Sequence, residues 1–367
     1  MLLIQILFLL YVFMISLFFI GWFRNKDSNN SVNLKISVVI AVRNEQESII
    51  GLVNNLKSQD YNISLYDVVI VNDNSEDNTL NLLLNESKKW SNLKVISLEN
   101  HEAGKKQAIL KGVKYSNSDV IITTDADCSF TNNWISKMAS YFLDKKINLV
   151  SGPVCFTDQS NFFSKMQTLE FLSLIGSAAG AIGIKKPILC NGANLAYRRN
   201  IFLEINDYES NDISSGDDVF LLHSIKKNFS NSIVFVKDPD AIVTTYPVKN
   251  LNNFLQQRLR WSAKSISYTD IDTILVAILV FLVNISLIFM AIYSIYEPSF
   301  FSTFISLLTV KFLIDSVFLI PVLYFFKRTK LIKWILPSQF IYPIYITLIS
   351  ISSNFLSFNW KGRISKT

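Results

Sequence analysis

The chain has 367 residues, of which 50% are hydrophobic and only 17% are charged. A soluble domain of this length usually carries more charge, so the composition excludes an ordinary soluble protein and favours one domain combined with membrane helices. The net charge of +6 comes from scattered basic residues, so it does not indicate a nucleic-acid partner. The three cysteines, Cys128, Cys155 and Cys190, lack metal-ligand spacing, and we expect them to be reduced.

The first 22 residues are apolar and uncharged, which is long enough to cross a hydrocarbon core of about 30 Å. A cleaved signal peptide is the alternative, but it would carry a basic segment before its apolar core. Here Arg24 and Lys26 follow the apolar segment instead. We therefore predict a transmembrane anchor at residues 1–23, with the N-terminus outside and the following residues in the cytoplasm.

Strands and helices alternate after a polar linker. The run from Ile36 to Val42 is rich in β-branched residues, as is typical of a buried parallel strand. Further strands are predicted at 68–71, 94–98 and 120–123, and helices at 44–58, 76–89 and 104–115. This alternation predicts an α/β domain with a parallel sheet, whose ligands bind at the carboxyl ends of the strands.

Three more apolar segments, 271–296, 300–326 and 331–355, predict a C-terminal transmembrane region over residues 271–357. Lys311 and Asp315 lie in the second, and such charges usually face the protein interior. Pro337 and Pro343 in the third indicate a kink or an interfacial helix. Four spans place the C-terminus outside, whereas the basic tail that ends the chain favours the cytoplasm.

Two carboxylates, Asp125 and Asp127, follow the fourth predicted strand as Thr124-Asp125-Ala126-Asp127. Both can reach a cavity if the chain turns there, and their hard oxygen atoms suit Mg²⁺ or Mn²⁺ bridging to phosphates. In the alternative, they are solvated loop residues. Their position directly after a strand favours the metal site.

Two other acidic segments allow a structural or a functional interpretation. Asp73 follows the second strand and is either part of a polar turn or a ligand of a nucleotide base. Gly216-Asp217-Asp218 precedes an apolar helical pattern. Its acids either stabilise a helix N-terminus or supply a general base, and one carboxylate can do both.

Two segments before the second span are candidates for work at the membrane. Gln257-Arg258-Leu259-Arg260-Trp261 fits an interfacial helix, or arginines that bind a departing diphosphate and a tryptophan that stacks on a sugar. The apolar stretch 161–184 fits either a core helix or a helix in the membrane interface that brings a lipid acceptor to the site.

Taken in order, these segments resemble the family-2 inverting glycosyltransferases with a GT-A fold, a Rossmann-like nucleotide-sugar domain. The flanking spans are similar to the membrane-bound branch of that family, which includes ceramide glucosyltransferases and polysaccharide synthases. The resemblance covers about 35–265. Its matching pieces are Ser37 to Glu45, Asn72-Asp73-Asn74-Ser75, Gly104-Lys105-Lys106, Thr124 to Asp127, Asn191-Gly192-Ala193-Asn194, Gly216-Asp217-Asp218 and Gln257 to Trp261.

The resemblance implies roles by position. The nucleotide-sugar site would contain Ala41, Arg43, Glu45, Asp73, Lys105 and Asp125. Asp127, with Asp125, would bind the divalent metal, and Asp218 would be the catalytic base, with Asp217 as the alternative because Gly-Asp-Asp replaces the commoner Glu-Asp pair. The diphosphate and acceptor sites would contain Gln257, Arg258, Arg260, Trp261, Asn191, Gly192 and Asn194.

We therefore expect a multi-pass membrane enzyme with a cytoplasmic GT-A domain at 35–265. It would move a sugar from a nucleotide-diphosphate donor, with a UDP-sugar expected, to a membrane lipid or lipid-linked glycan. One alternative is a processive polysaccharide synthase. Such an enzyme must pass its polymer across the bilayer, and four spans give only a narrow channel unless they oligomerise or recruit a partner. Another alternative is a non-catalytic scaffold that binds a nucleotide sugar. Loss of the metal-binding and base carboxylates would indicate such a scaffold, but Asp127 and Asp218 are both present.

Overall fold

The computed structural model describes residues 1–28, 31–99, 101–158, 160–205, 217–353, 355–356, 358–360 and 363–365. Its internal contacts divide the chain into two units. The sheet unit comprises Asn25–Thr157 and Leu189–Tyr246. The helical unit comprises Met1–Arg24, Asp158–Ile188 and Pro247–Thr367. The expected domain at 35–265 thus contains two segments, one around 158–188 and one after Pro247, that group with the helical unit.

The strands of the sheet unit are β1 Ile36–Val42, β2 Tyr66–Asn72, β3 Leu93–Ser97, β4 Val120–Thr123, β5 Leu149–Ser151, β6 Val154–Phe156, β7 Leu195–Arg198, β8 Ile233–Phe235 and β9 Val243–Thr245. Seven of them form one sheet with the order β3-β2-β1-β4-β7-β5-β8. A separate parallel pair is formed by β6 and β9. The helices are α2 Ile49–Lys57, α3 Thr79–Ser87, α4 Lys105–Tyr115, α5 Trp134–Ala139, α7 Arg199–Glu204 and α8 Asp217–Asn228.

Strands β1 to β4 confirm the prediction from the β-branched runs. They are parallel, and Ile36 pairs with Tyr66 on one side and with Val120 on the other. Nearly all side chains of β1, β2 and β4 are buried, as expected for strands covered on both faces.

The sheet also contains an antiparallel strand that was not predicted, since β7 runs antiparallel to both β4 and β5. The reason lies in the route of the chain. Leu195, the first residue of β7, pairs with Thr123, the last residue of β4. The chain therefore enters β7 at the edge where β4 ends, whereas a helical crossover would have returned it to the opposite edge.

Among the described residues of the helical unit there are six long helices and a C-terminal two-stranded antiparallel pair, β10 Phe358–Trp360 and β11 Arg363–Ser365. Four of its helical segments are long and apolar enough to cross a membrane: Leu2–Arg24, Ile271–Tyr296, Pro298–Phe325 and Thr329–Ser352. The helices are α1 Leu2–Arg24, α6 Phe162–Gly183, α9 Leu251–Ala263, α10 Ile271–Tyr296, α11 Phe301–Phe325 and α12 Ile335–Ser352.

Helices α1 and α6 approach each other at glycines. A Cβ atom added to Gly21 would lie 1.9 Å from the carbonyl oxygen of Gly180, and one added to Gly183 would lie 2.0 Å from that of Gly21. Only residues without a side chain permit this separation of the two backbones. The stretch 161–184 is therefore a helix packed closely against α1; its predicted role in bringing a lipid acceptor to the site stays a prediction.

The two charged residues of the apolar segment 300–326 face the interior of the helical unit, as predicted. Lys311 is 2% exposed and Asp315 is 9% exposed. The Lys311 ammonium donates to Asp315 at 2.7 Å and to the Gln339 side-chain oxygen at 2.9 Å. The Tyr11 hydroxyl donates to the second Asp315 oxygen at 2.7 Å. The network joins α1, α11 and α12 through buried polar groups that bond to one another.

Candidate active site

The carboxyl ends of β1, β2 and β4 meet at one edge of the sheet, because these strands are parallel neighbours. Ala41 is the penultimate residue of β1, and Arg43 and Glu45 follow the strand. Asp73 follows β2, and Asp125 and Asp127 follow β4. Open α/β sheets bind ligands at this edge, so the sequence predictions for these residues concern one region of the sheet unit.

Loop contacts hold the ends of β1 and β2 together. The Arg43 guanidinium donates to the backbone oxygens of Asp73 and Asn74, at 3.0 Å each, and forms an ion pair with Glu76 at 2.9 Å. Asp73 is 2% exposed, and its carboxylate accepts the Gly104 N–H at 3.1 Å. Gly104 has φ of 102°, a backbone conformation that favours glycine. These contacts give Arg43 and Asp73 a part in shaping the edge, whatever they bind.

Lys105, the first residue of α4, lies among carboxylates from separate parts of the chain. Its ammonium forms an ion pair with Asp125 at 2.6 Å. Burial disfavours the charged form of Lys105, but the charges of Asp125, Asp217 and Asp218 outweigh it and raise the lysine pKa. The structure therefore brings the Asp125-x-Asp127 segment and the Asp217–Asp218 pair to the same lysine.

Asp127 lies in a crowded negative environment. The Thr245 hydroxyl, at the end of β9, donates to its carboxylate at 2.8 Å. Burial raises the pKa of Asp127, and the negative charges of Asp125 and Glu45 raise it further, while the Thr245 hydrogen bond acts in the opposite direction. A cation that prefers oxygen ligands, such as Mg²⁺, would relieve the repulsion between these carboxylates.

Asp218, in the first turn of α8, is held by backbone groups. Its two carboxylate oxygens accept the N–H of Gly192 and the N–H of Val219, both at 2.9 Å. A Cβ added to Gly192 would lie 3.4 Å from the Asp218 Cβ, in ordinary van der Waals contact, so the two residues are close neighbours. Asp217 and Asp218 occupy the start of α8, as the helix-terminus interpretation predicted, whereas Gly216 lies outside the described residues.

A small, partly open pocket adjoins these groups, and its void of about 280 Å³ includes space that is open to solvent. Its polar lining combines an ammonium, two carboxylates and a tyrosine, and its walls are aliphatic and aromatic. The lining residues are Lys105, Ile109, Thr123, Gly192, Leu195, Tyr197, Phe202, Asp217, Asp218 and Leu221.

Sequence reasoning missed Tyr197 and Thr245. Tyr197 is 1% exposed, and its hydroxyl has no hydrogen-bond partner among the described residues. Burial and the charge of Asp217 raise its pKa. Thr245 ends a three-residue strand. The sequence holds no signal for either residue, because both positions depend on strand pairing rather than on a motif.

The Asn191-to-Asn194 segment is held by internal hydrogen bonds. Asn194 is fully buried. Its side chain accepts from Trp134 at 3.0 Å and donates to the backbone oxygens of Pro153 and Ala241 at 2.8 Å each. The Asn191 side chain accepts the N–H of Ala193. Gly192 lines the pocket, and the ligand roles of Asn191 and Asn194 stay predictions.

Gln257, Arg258, Arg260 and Trp261 lie on α9 of the helical unit. The helix near an apolar span was predicted, but the role of Arg258 was not. Arg258 is 3% exposed and forms an ion pair with Glu170 at 2.6 Å, so it is not available as a diphosphate ligand in this conformation. Gln257, Arg260 and Trp261 are half-buried.

In the described part of the chain, no group of three or more His, Cys, Asp or Glu side chains is arranged to hold a metal. The residues present nevertheless fit a divalent cation bound together with a phosphate ligand. Asp125 and Asp127 supply hard oxygen atoms. The pKa of Asp127 is raised by burial first and then by the negative charges of Asp125 and Glu45, which a cation would neutralise. The three cysteines are buried and form no disulfide within this part, as predicted.

The sheet unit is a mixed α/β sheet with carboxylates clustered beside a small pocket. The solved mannosyltransferase PcManGT of Pyrobaculum calidifontis, in complex with GDP-Man and Mn²⁺, matches this fold with a TM-score of 0.57 at 14% identity. The match covers 92% of this chain and 95% of that one.

Residues 37–205 match the model of glycosyl transferase family 2. The glycosyltransferase AglE of Haloferax volcanii is 25% identical over 249 residues, which is 65% of this chain and 75% of AglE. A poly-beta-1,6-N-acetyl-D-glucosamine synthase of Staphylococcus epidermidis is 25% identical over 62% of this chain, which spans about half (53%) of that synthase. The chain is a glycosyltransferase with a GT-A fold and a family 2 segment.

Proposed function

We propose that this glycosyltransferase moves a sugar, with inversion, from a nucleotide-diphosphate donor to a lipid or lipid-linked glycan. A UDP-sugar is the expected donor. The observation that carries the proposal is the convergence of Asp125, Lys105 and the Asp217–Asp218 pair, from three separate segments, beside one pocket. Acidic groups around a fixed cation suit a reaction that deprotonates a hydroxyl and releases a diphosphate.

Asp218 would act as the general base. The acceptor hydroxyl loses its proton to the carboxylate, and its oxygen forms a bond to the anomeric carbon. The bond from that carbon to the diphosphate oxygen breaks, and the nucleoside diphosphate leaves with the electron pair. Backbone donation from Gly192 and Val219 fixes the orientation of the Asp218 carboxylate. Asp217 remains the alternative base.

The donor site would use the strand ends. Ala41, Glu45 and Asp73 are placed to shape a nucleotide pocket, and Lys105 to bind phosphate. Asp127, with Asp125, would hold Mg²⁺ or Mn²⁺. When bound, this ion would neutralise the negative charge of the leaving diphosphate. Gln257, Arg260 and Trp261 keep the diphosphate and acceptor roles that the resemblance implies.

A membrane acceptor is supported by the four apolar helices of the helical unit. We propose an integral, multi-pass protein with its N-terminus outside and its sheet unit in the cytoplasm, because Arg24 and Lys26 follow the first span. The bilayer would then hold the acceptor near the enzyme.

A processive polysaccharide synthase is the second candidate. It is favoured by the similarity to the Staphylococcus synthase, although this chain spans only about half of that protein. Four candidate spans leave little room for a polymer channel, so this candidate calls for an oligomer or an export partner.

The test uses membranes containing the protein, labelled UDP- and GDP-sugars, and Mn²⁺ or a chelator. Metal-dependent label in the organic phase supports single transfer to a lipid, and label in high-mass aqueous material supports the synthase. Donor binding without turnover of any donor would support a binding module and refute both enzymes.

Three variants locate the chemistry. Asp127→Ala should abolish metal-dependent turnover, and Asp218→Asn should bind the nucleotide but lose transfer by about a hundredfold or more. Asp60→Asn, at an exposed carboxylate, is the matched control and should retain full transfer. Unimpaired transfer by Asp218→Asn would assign the base to Asp217.

A further inference from the structure

Arg258 is held by a bidentate ion pair with a residue of another helix. Its Nε lies 3.0 and 3.1 Å from the two Glu170 carboxylate oxygens, and its terminal nitrogen lies 2.6 Å from one of them. The side chains are 3% and 10% exposed. A paired fork of this kind fixes the plane of the guanidinium as well as its position.

The same guanidinium contacts neighbouring side chains of α9. Its other terminal nitrogen donates to the Gln257 side-chain oxygen at 2.5 Å. Its central carbon lies 4.3 Å from the centre of the Trp261 ring and 4.5 Å from that of Phe254. Phe254, Arg258 and Trp261 are four and three residues apart and so share one face of the helix.

Glu170 links three helices. It lies on α6, binds Arg258 of α9, and accepts the Tyr345 hydroxyl of α12 at 3.0 Å. Tyr345 also packs against Leu259 of α9. Because a buried carboxylate is costly unless its oxygens are bonded, Glu170 and Arg258 each hold the other in one geometry.

We propose that Glu170 is a positioning residue, which acts through Arg258 to orient Gln257 and Trp261. The inference rests on the proposed function, in which Gln257 and Trp261 meet the diphosphate and the acceptor. By donating to the Gln257 oxygen, Arg258 turns the amide so that its nitrogen is the end able to donate to a phosphate. Its contact with Trp261 fixes the plane on which a sugar ring would stack.

The test compares Glu170→Gln and Arg258→Lys with the unmodified protein in full-length, membrane-extracted form. Both remove the bidentate charged fork and retain a polar side chain of similar size. We expect transfer per folded molecule to fall about tenfold to a hundredfold, because small misplacements of substrate-binding groups cost that much. The Trp261 emission, isolated by subtraction of a Trp261→Phe sample, should shift in both variants.

Asp238→Asn is the matched control. It breaks a partly buried ion pair, Lys137 to Asp238 at 2.7 Å, in the sheet unit. It should lower stability without changing transfer per folded molecule or Trp261 emission. If Glu170→Gln yields no folded protein, Glu170→Asp, which keeps the charge on a shorter stem, is measured in the same way.

Transfer within about twofold of the unmodified protein, with unchanged Trp261 emission, would overturn the inference, since it would leave the ion pair a purely structural role. Failure of the proposed function gives a different result: the unmodified protein would then transfer no sugar. In that case the emission shift alone decides whether Glu170 positions Trp261.

Discussion

Replacement of Lys311 by methionine tests how the apolar helices are held together. The ammonium is the positive partner of Asp315, which also accepts from Tyr11 and from the Gln339 amide at 3.1 Å. After Lys311→Met, Asp315 keeps two neutral donors but no cation. Removing one partner of a buried pair costs about 3–5 kcal/mol, because the remaining charge stays buried.

A second replacement, Asp315→Asn, should return most of that loss. The double variant buries no charge, and the Asn oxygen can still accept from Tyr11. What remains is the lost hydrogen bond from Lys311 to Gln339, about 1 kcal/mol. The free energy of unfolding of the double variant should therefore exceed that of Lys311→Met by about 2–4 kcal/mol.

The assay is thermal or denaturant unfolding in one detergent, with the unmodified protein and both variants side by side. Equal stability of the single and double variants would refute the reasoning, since the cost would then not come from an uncompensated charge. A single variant as stable as the unmodified protein would show that Asp315 does not need the lysine.

Three further predictions concern packing and the pocket. In Gly183→Leu the new Cβ would lie 2.0 Å from the Gly21 carbonyl oxygen of α1, so the close approach of the helices should be lost and the yield of folded protein in detergent should fall. Gly51→Ala, whose new Cβ would have no atom within 4 Å, should be neutral or stabilise by up to about 1 kcal/mol. Equal yields of the two variants would refute the close contact. Tyr197→Phe removes a buried hydroxyl without a partner among the described residues, so the melting temperature should not fall; a clear fall would show that the hydroxyl is bonded. Thr245→Val removes the hydrogen-bond donor that lowers the pKa of Asp127, so the carboxylate should bind a metal ion less readily. A titration with Mn²⁺ should then show a higher Mn²⁺ concentration at half-maximal transfer. An unchanged concentration would exclude Asp127 as a metal ligand.

Local patterns predicted the strands that build the site edge. Continuous β-branched runs identified β1, β2 and β4, and residues that follow parallel strands must share an edge. The approach of Asp125 to Asp217 and Asp218 could not be read in this way, because it depends on how α4 and α8 pack. Only the resemblance to a family placed these acids in one site.

Burial separated the residues that sequence reasoning treated alike. Arg258 and Arg260 have the same chemistry two positions apart, yet Arg258 is 3% exposed and Arg260 is half-buried. Helix α9 turns one toward Glu170 and not the other. Likewise Asn191 and Asn194 share a motif, but Asn194 is fully enclosed. The motif identifies the type of residue, but tertiary packing decides which of two residues of that type is buried and which stays accessible.

The order of segments along the chain has a practical consequence for anyone preparing fragments of this protein. Helix α6 interrupts the sheet unit between β6 and β7, yet its glycines pack on α1 at the start of the chain. A fragment that begins after residue 24 would keep α6 but remove α1, leaving the glycine face of an apolar helix uncovered in the middle of the polypeptide. A version of the sheet unit without apolar helices needs a short polar bridge in place of 158–188 as well as new end points near residues 25 and 246.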